Sequence, residues 1–155
     1  MPKAVKKPKS PRYTDATNGF SVLRPPSAFS FEGTKEKVKP GGQALLAKSK
    51  QGDHQLVVLI APAAPPDNQR SMALRLATEV IAPLGGRCMA MKPLVRPDRR
   101  PSFQVPYLSK KQMGAVVTIG GLRRTYVAVS GFPSGDQSAA AADLLLMQLS
   151  IMIKE

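Results

Sequence analysis

Residues 115–130, AVVTIGGLRRTYVAVS, contain two runs rich in β-branched residues on either side of a pair of glycines. Val, Ile, Thr and Tyr favour strands, and paired glycines accept the positive φ angles of a tight hairpin turn. The stretch therefore predicts a β-hairpin with strands at 115–119 and 122–130 that turns at Gly120-Gly121. An antiparallel sheet is the starting point for the fold.

More strands are predicted on the N-terminal side of this hairpin. The run QLVVLIA at 55–61 is continuously apolar, which is typical of a central strand covered on both faces. Weaker patterns predict strands at 19–24, 43–50, 87–94 and 103–109. Pro106 is expected to confine the last of these to a sheet edge. The segment 25–42 is predicted to be a long connection.

Two helices are predicted from the spacing of apolar residues. The first begins at an N-cap, Asp67 or Asn68, and is stopped by Pro83 and Gly85-Gly86. Its apolar face consists of residues three, four, seven, eight and eleven positions apart: Ala73, Leu76, Ala77, Val80, Ile81 and Leu84. The second covers 138–154, SAAAADLLLMQLSIMIK, and is apolar enough to pack broadly on a sheet.

The order of these elements is β, β, β, α, β, (β), β, β, α. Hairpins together with separated helices indicate an α+β fold. We expect an α-β-α sandwich, with a central antiparallel sheet covered by helices on both faces. One such domain is predicted over 18–155, preceded by a basic extended arm over 1–17.

The arm follows from charge and proline content. The whole chain of 155 residues has a formal net charge of +13, which favours a polyanionic or acidic partner. Within the arm the cations repel one another, prolines favour extension, and apolar residues are too few to offset the entropy of ordering. We therefore expect a tether that binds an acidic surface through Lys3, Lys6, Lys7, Lys9 and Arg12.

Catalytic and metal sites are not predicted. His54 is the only histidine and is expected to be a solvent-facing turn residue, because a catalytic or metal-bound histidine needs partners. Cys88 is the only cysteine, so it can form neither an intramolecular disulfide nor a zinc cluster. No phosphate-binding glycine motif or nucleophile elbow is found. We predict no enzyme activity and no cofactor.

Basic residues also cluster within the predicted domain. The loop VRPDRRP at 95–101 brings Arg99 and Arg100 together, and Arg123 and Arg124 point to opposite faces of one strand. We expect Arg99 and Arg100 to bind a partner with the arm. Nucleic acid is a possible partner, but aromatic residues are only 5% and tryptophan is absent, which weakens a stacking role.

Several strings, in order, resemble the PsbP family of extrinsic thylakoid-lumen proteins. That family commonly has a Lys- and Pro-containing arm, a Gly-Phe-x-Leu-Leu-x-Pro strand, then Pro-Ser-x-Trp. The matching residues here lie within KKPKSPRYTDATNGFSVLRPPSAF (6–29), with Phe29 in place of the tryptophan. A Pro-Gly-Gly-Gln at 40–43, a strand ending in proline at 56–62, and a late hairpin and helix over 114–153 are also similar.

The resemblance implies the sandwich fold and a non-catalytic extrinsic subunit on the lumenal face of a photosystem, namely photosystem II. Such proteins stabilise the oxygen-evolving centre and its retention of calcium and chloride. The implied partners are acidic lumenal surfaces of photosystem core subunits. The implied location is the chloroplast thylakoid lumen, with the targeting segment absent from this sequence. The family's proposed metal ligands cannot be placed here, so no ion site is carried over.

Alternatives remain open. The chain could be a PsbP-like subunit or assembly factor of photosystem I. Ran-binding Mog-type proteins share the family's fold, although the basic arm does not favour them. In another class, the same charge would suit an organellar ribosomal or RNA-binding protein, for which steeply salt-dependent RNA binding would be the signature.

Overall fold

The computed structural model describes residues 11–155 of the chain, and within them it has eleven strands and two α-helices. The helices are α1 (Gln69–Ile81) and α2 (Ala139–Leu149). The strands are β1 (Arg12–Asp15), β2 (Phe20–Leu23), β3 (Phe29–Gly33), β4 (Gln43–Ser49), β5 (Gln55–Pro62), β6 (Arg87–Cys88), β7 (Lys92–Pro93), β8 (Ser102–Leu108), β9 (Gln112–Gly120), β10 (Arg124–Pro133) and β11 (Met152–Ile153). Lys3, Lys6, Lys7 and Lys9 lie outside the described residues.

An eight-stranded antiparallel sheet forms the body of the domain. Its order is β3-β4-β5-β10-β9-β8-β6, and β7 also pairs with β8. The hairpin predicted at 115–130 is present as β9 and β10, and the QLVVLIA strand β5 lies beside β10 near the centre. The α+β prediction, with a large antiparallel sheet and two helices, is therefore confirmed.

The turn of the β9–β10 hairpin differs from the prediction. It runs from Gly121 to Arg124, closed by a 2.9 Å bond from the Gly121 amide to the Arg124 carbonyl. Neither Gly120 nor Gly121 has a positive φ angle. A Cβ on Gly120 would instead lie 2.7 Å from Oε1 of Gln69. The glycines are needed for close approach of neighbouring groups rather than for a left-handed turn.

Alternate side chains of the central strands enter two separate core layers. On one face, Val117, Ile119, Tyr126 and Ala128 pack with residues of α2 and β2. On the other face, the intervening residues, including Val116 and Val127, pack with α1. The period-two alternation of a strand sends neighbouring residues to opposite faces, so each helix packs on its own side of the sheet.

A small second sheet corrects the predicted boundary of the arm. Arg12–Asp15 pairs with Phe20–Leu23 as β1 and β2, and β11 pairs with the other side of β2. The residues 12–15 are therefore part of the domain rather than of an extended arm. A short turn closes the β1–β2 hairpin, where the amide of Gly19 (φ 74°) donates to the Asp15 carbonyl at 2.8 Å.

The C-terminal helix is shorter than predicted. Ser138 caps α2 by accepting a hydrogen bond from the Ala141 amide at 3.3 Å, but α2 ends at Leu149. The Ser150 hydroxyl then accepts the Leu23 amide at 3.0 Å, and Met152–Ile153 continues as β11. The apolar run beyond 149 therefore completes a sheet instead of prolonging the helix.

Two other predicted segments also differ. Residues 29–33 lie within the predicted connection but form the edge strand β3, with Phe29 and Phe31 half-buried against the core.

Near Pro106, β8 is flanked by the short strands β6 and β7 on one side and by β9 on the other. Pro106 sits between the two short partners, where its carbonyl accepts the Met89 amide at 2.7 Å.

Within residues 11–155, no helix is both long enough and apolar enough to cross a membrane.

Candidate functional site

Among the predicted partner-binding residues, Arg12 makes hydrogen bonds within the folded domain. Its Nε donates to Ser21 Oγ at 2.9 Å, and its Nη2 donates to the carbonyls of Ser21 at 3.2 Å and of Ser150 at 2.5 Å. Burial lowers the pKa of Arg12. The guanidinium thus connects β1 to β2 and to the end of α2.

Arg99 and Arg100 lie in a loop that is organised by Asp98. The carboxylate of Asp98 accepts two 3.0 Å hydrogen bonds from Arg96 and one of 3.1 Å from the Arg100 amide. The bonds from Arg96 outweigh the effect of burial and lower the pKa of Asp98. Arg96 also donates to the Ile151 carbonyl at 2.8 Å. Asp98 thus holds the loop together from within, and Arg96 attaches it to the chain at Ile151. Arg99 is exposed at the tip of the loop, with a φ of 58°.

The Glu155 side chain fastens this loop to the hairpin turn. One of its oxygens accepts the Leu122 amide at 2.7 Å and Nη1 of Arg100 at 3.2 Å, and the other accepts the Arg123 amide at 3.2 Å. Burial alone would raise the pKa of Glu155, but the two amides and Arg100 reverse this effect and lower it. A Cβ on Gly121 would collide with the Glu155 carboxylate, so glycine permits this contact.

These two loops form what we call the basic loop surface, defined as residues 95–100 and 121–123. Each loop presents one aliphatic and one cationic side chain to solvent. Val95 and Leu122 are 101% and 86% exposed, and Arg99 and Arg123 are also exposed. Arg124, by contrast, is half-buried and reaches Asn18 Oδ1 at 3.4 Å, which agrees with the expected opposite directions of the two arginines.

This arrangement suits recognition of another macromolecule. Arginine and buried apolar anchors dominate many protein interfaces, and groups held in place before binding lose less entropy. Of the two predicted residues, Arg99 is exposed, whereas Arg100 is an internal link to Glu155. Val95, Leu122 and Glu155 were not predicted from the sequence, because their roles depend on the contact between two loops that are distant along the chain.

His54 is not the solvent-facing residue that was predicted. It is 6% exposed, and its ring stacks on Phe132 with centroids 6.3 Å apart. Nδ1 lies 2.8 Å from Asp53 Oδ1, and Nε2 lies 2.5 Å from Asp136 Oδ2. Burial lowers the pKa of His54, but the hydrogen bonds to Asp53 and Asp136 outweigh it, so the pKa is raised. With both nitrogens facing carboxylates, neither is free to act as a base.

A cleft of about 480 Å³ lies beside the C-terminal end of α1, lined by residues that include Val57, Leu59 and Val129. Tyr107, which lines the cleft from the sheet, is hydrogen-bonded: its hydroxyl donates to the Ser130 carbonyl at 2.7 Å and accepts from Gln112 at 3.1 Å. Burial raises the pKa of Tyr107. In the part of the chain that the structure describes, no group of three or more His, Cys, Asp or Glu residues could hold a metal ion.

The fold is shared with two kinds of solved protein. Cyanobacterial PsbP (CyanoP) from Synechocystis superposes with a TM-score of 0.66 at 14% identity, covering 92% of this chain and 91% of that one. The Ran-binding protein Mog1p of Saccharomyces cerevisiae gives a TM-score of 0.58 at 10% identity, with 87% and 90% coverage. A Mog1 variant gives 0.54 at 11% identity, with 88% and 92% coverage.

No protein-family model and no curated protein matches the sequence. The resemblance to PsbP predicted from short strings is confirmed at the level of the fold: the chain has a PsbP-like fold. The same fold occurs in the non-photosynthetic Mog1 proteins.

Proposed function

We propose that this protein is a non-catalytic extrinsic subunit of a photosystem, attached to an acidic protein surface by its cationic residues. The observation that carries the proposal is the PsbP-like fold, with a TM-score of 0.66 over 92% of the chain, combined with a net charge of +13. The finer assignment is to photosystem II in the thylakoid lumen, where the protein would stabilise the oxygen-evolving centre and its calcium and chloride. The two core layers support an α-β-α sandwich as its scaffold.

Docking is supported by the placement of charge on the basic loop surface. Its exposed side chains include two cations, Arg99 and Arg123, and two aliphatic groups, Val95 and Leu122. Arg99 and Leu122 line the same cleft. Opposite charges steer encounter and set the register of a complex, while well-packed apolar anchors supply affinity. Such a surface fits an acidic protein face with apolar recesses. A mode of action through docking also agrees with the description of Mog1p as Ran-binding.

RNA binding is less well supported. Single-stranded RNA is commonly held by aromatic side chains on which bases stack. None of the large apolar side chains that are exposed within residues 11–155 is aromatic. The cations of the described domain therefore lack the stacking partners expected of such a site.

The proposal is tested with salt-washed thylakoid membranes and a variant that lacks residues 1–10. Because β1 starts at Arg12, this deletion removes the lysines of the predicted tether and leaves the small sheet whole. We expect the full chain to sediment with the membranes and the shortened chain to be released at lower NaCl concentration. A matched control replaces Lys3, Lys6, Lys7 and Lys9 by glutamine without shortening the chain, and we expect it to behave like the deletion.

Three outcomes would count against the proposal. Failure of the full chain to bind thylakoid membranes at low salt would contradict the photosystem assignment. Equal retention of the deletion variant and the full chain across the salt series would contradict the tether. Preferential recovery with ribosomes, with a steep dependence on salt, would favour the RNA-binding alternative.

A further inference from the structure

Arg24, immediately after β2, has its guanidinium placed over two aromatic rings. Its Cζ lies 5.0 Å from the centre of the Phe31 ring and 5.7 Å from that of Tyr13. The two rings are themselves stacked, with centroids 5.2 Å apart and planes inclined by 12°. Cations are attracted to the faces of aromatic rings. Strands β1 and β3 therefore supply an aromatic support that fixes the position of the cation.

The Arg24 guanidinium has no hydrogen-bond or ion-pair partner among residues 11–155. Its Nε is buried and unpaired. The four other half-buried arginines of this region all have polar partners: Arg12, Arg96, Arg100 and Arg124. Asp15, two residues from Tyr13 in β1, is occupied by Asn18, whose backbone amide and side-chain amide each donate to it at 2.9 Å. Arg24 is thus held in place, and none of its donors is used by the described part of the chain.

An arginine in this state is prepared to bind an oxyanion. Stacking uses the faces of the planar guanidinium and leaves the N–H groups at its edge, where they match the two oxygens of a carboxylate. The free-energy cost of removing the cation partly from water has already been offset when the protein folds. A carboxylate that reaches Arg24 therefore gains a charge-assisted hydrogen bond without first having to order the side chain.

The position of Arg24 indicates which oxyanion. Tyr13, one of its two aromatic supports, lies in β1, the strand that directly follows residues 1–10 and their four lysines. The proposed acidic partner of those lysines would therefore meet the chain next to the strand that carries Tyr13. Within the described residues, no exposed aromatic side chain is available to stack the bases of a nucleic acid.

We propose that Arg24, supported by Tyr13 and Phe31, is a receptor for an aspartate or glutamate side chain of an acidic protein partner. This inference deepens the proposed docking function and rests on it for the identity of the partner. The binding chemistry, however, can be measured without that partner.

The experiment follows the Arg24 Nε–Hε signal by NMR in the full chain, using an acetylated hexaglutamate peptide as the probe. Because Nε is buried, its proton should exchange slowly enough to be seen. We expect this signal to shift on titration. We also expect Arg24→Lys to weaken peptide binding about tenfold, which is about 1.4 kcal/mol, because lysine cannot present the planar pair of donors that a guanidinium offers to a carboxylate.

The matched control is Arg70→Lys, a change at an exposed arginine of α1, which should leave affinity within about twofold of wild type. Phe31→Leu removes one aromatic support and should weaken binding without changing net charge. An unmoved Arg24 signal in the wild-type titration would overturn the inference, and this measurement needs no variant to fold. Tighter Arg24-dependent binding of a uridine hexanucleotide would also overturn it, in favour of a phosphate receptor.

The two proposals fail separately. If Arg24 binds the peptide but the full chain ignores thylakoid membranes, the receptor stands and the photosystem assignment fails. If membranes retain the protein but Arg24 neither shifts nor affects peptide affinity, the docking function stands and the receptor fails.

Discussion

Nε2 of His54 lies 2.5 Å from Oδ2 of Asp136, a residue 82 positions further along the chain. Asp136 in turn accepts a 2.8 Å hydrogen bond from the amide of Ser138, the N-cap of α2. The histidine therefore connects the start of β5 to the entry of α2. A second carboxylate, that of Asp53, holds the other ring nitrogen.

The clamp that Asp53, His54 and Asp136 form predicts a specific pH dependence of the stability of the fold. The pKa of His54 is raised in the folded protein, so its contribution is complete below the unfolded value of about 6.5 and is lost as pH rises through the folded value. The pKa values of Asp53 and Asp136 are lowered in the folded protein. Their contributions to stability are therefore complete at a pH above their unfolded pKa values and are lost as the pH falls through their folded pKa values. The clamp should therefore stabilise most between about pH 5 and 6.5.

We expect His54→Gln to lower the melting temperature by a few degrees at pH 5.5, since 1 kcal/mol corresponds to about 2–4 °C in a domain of this size. The difference from wild type should shrink at pH 9. Thermal unfolding followed by circular dichroism measures both. A difference that stays constant from pH 5.5 to 9 would show that the charge of His54 does not stabilise the fold.

Gln148 should be a major determinant of stability although it is polar. It is 1% exposed, and its Nε2 donates to the carbonyls of Ala115 at 2.8 Å and Ala128 at 2.7 Å. Its Oε1 accepts the Ser130 hydroxyl at 2.8 Å. Because Gln148→Leu breaks three buried hydrogen bonds at about 1 kcal/mol each, it should reduce the free energy of unfolding by about 3 kcal/mol. Urea denaturation tests this, with the exposed Gln137→Leu as the control; equal stability of both variants would refute the bridging role.

Gly120 is predicted to tolerate no side chain while Gln69 is present. A Cβ there would lie 2.7 Å from Oε1 of Gln69, whose Nε2 is held by the Ala64 carbonyl at 2.6 Å. Overpacking of this kind costs about 1–3 kcal/mol, which is the destabilisation expected for Gly120→Ala. Adding Gln69→Ala should recover part of it. A double-mutant cycle with no coupling energy would mean that the two residues are not in conflict.

For the basic loop surface, we predict that the position of its cations, and not only the net charge of the protein, determines binding to the membranes. Arg99→Glu with Arg123→Glu should weaken retention on salt-washed thylakoid membranes about tenfold, because it places like charges against an acidic partner. Arg70→Glu with Arg87→Glu changes the net charge equally at exposed sites elsewhere and should change retention less than about threefold. Equal losses in the two pairs would show that only total charge matters.

Glu155→Gln tests whether the two loops act as a unit. Glutamine retains an acceptor but loses the charge that binds the amides of Leu122 and Arg123 and the guanidinium of Arg100. We expect faster hydrogen exchange at the two amides and little loss of global stability. The control is Glu79→Gln, which removes an exposed ion pair with Arg75 on α1. Unchanged exchange at residues 122 and 123 would contradict the anchoring role.

Local pattern was sufficient for the central elements of the fold. The β-branched alternation of β9 and β10, the apolar run of β5 and the helical spacing of α1 each specify a face that must be buried, and a buried face largely decides the element. The short strings at 19–43 were enough to indicate a PsbP-like fold, which the superposition on CyanoP confirms. What local pattern missed were the short elements β1, β3 and β11, which exist because a neighbouring strand pairs with them.

The roles of the charged residues were decided only by the tertiary structure. Arg12 meets Ser150 across 138 positions, Arg100 meets Glu155 across 55, and Arg24 is placed over Phe31 without an ion pair to any residue of 11–155. Each of these arginines is directly next to a proline in the sequence, so no local signal separates an internal link from an exposed cation. Apolar burial follows from periodicity along the chain, whereas the partner of a charge depends on which distant group the fold brings within a few ångströms of it.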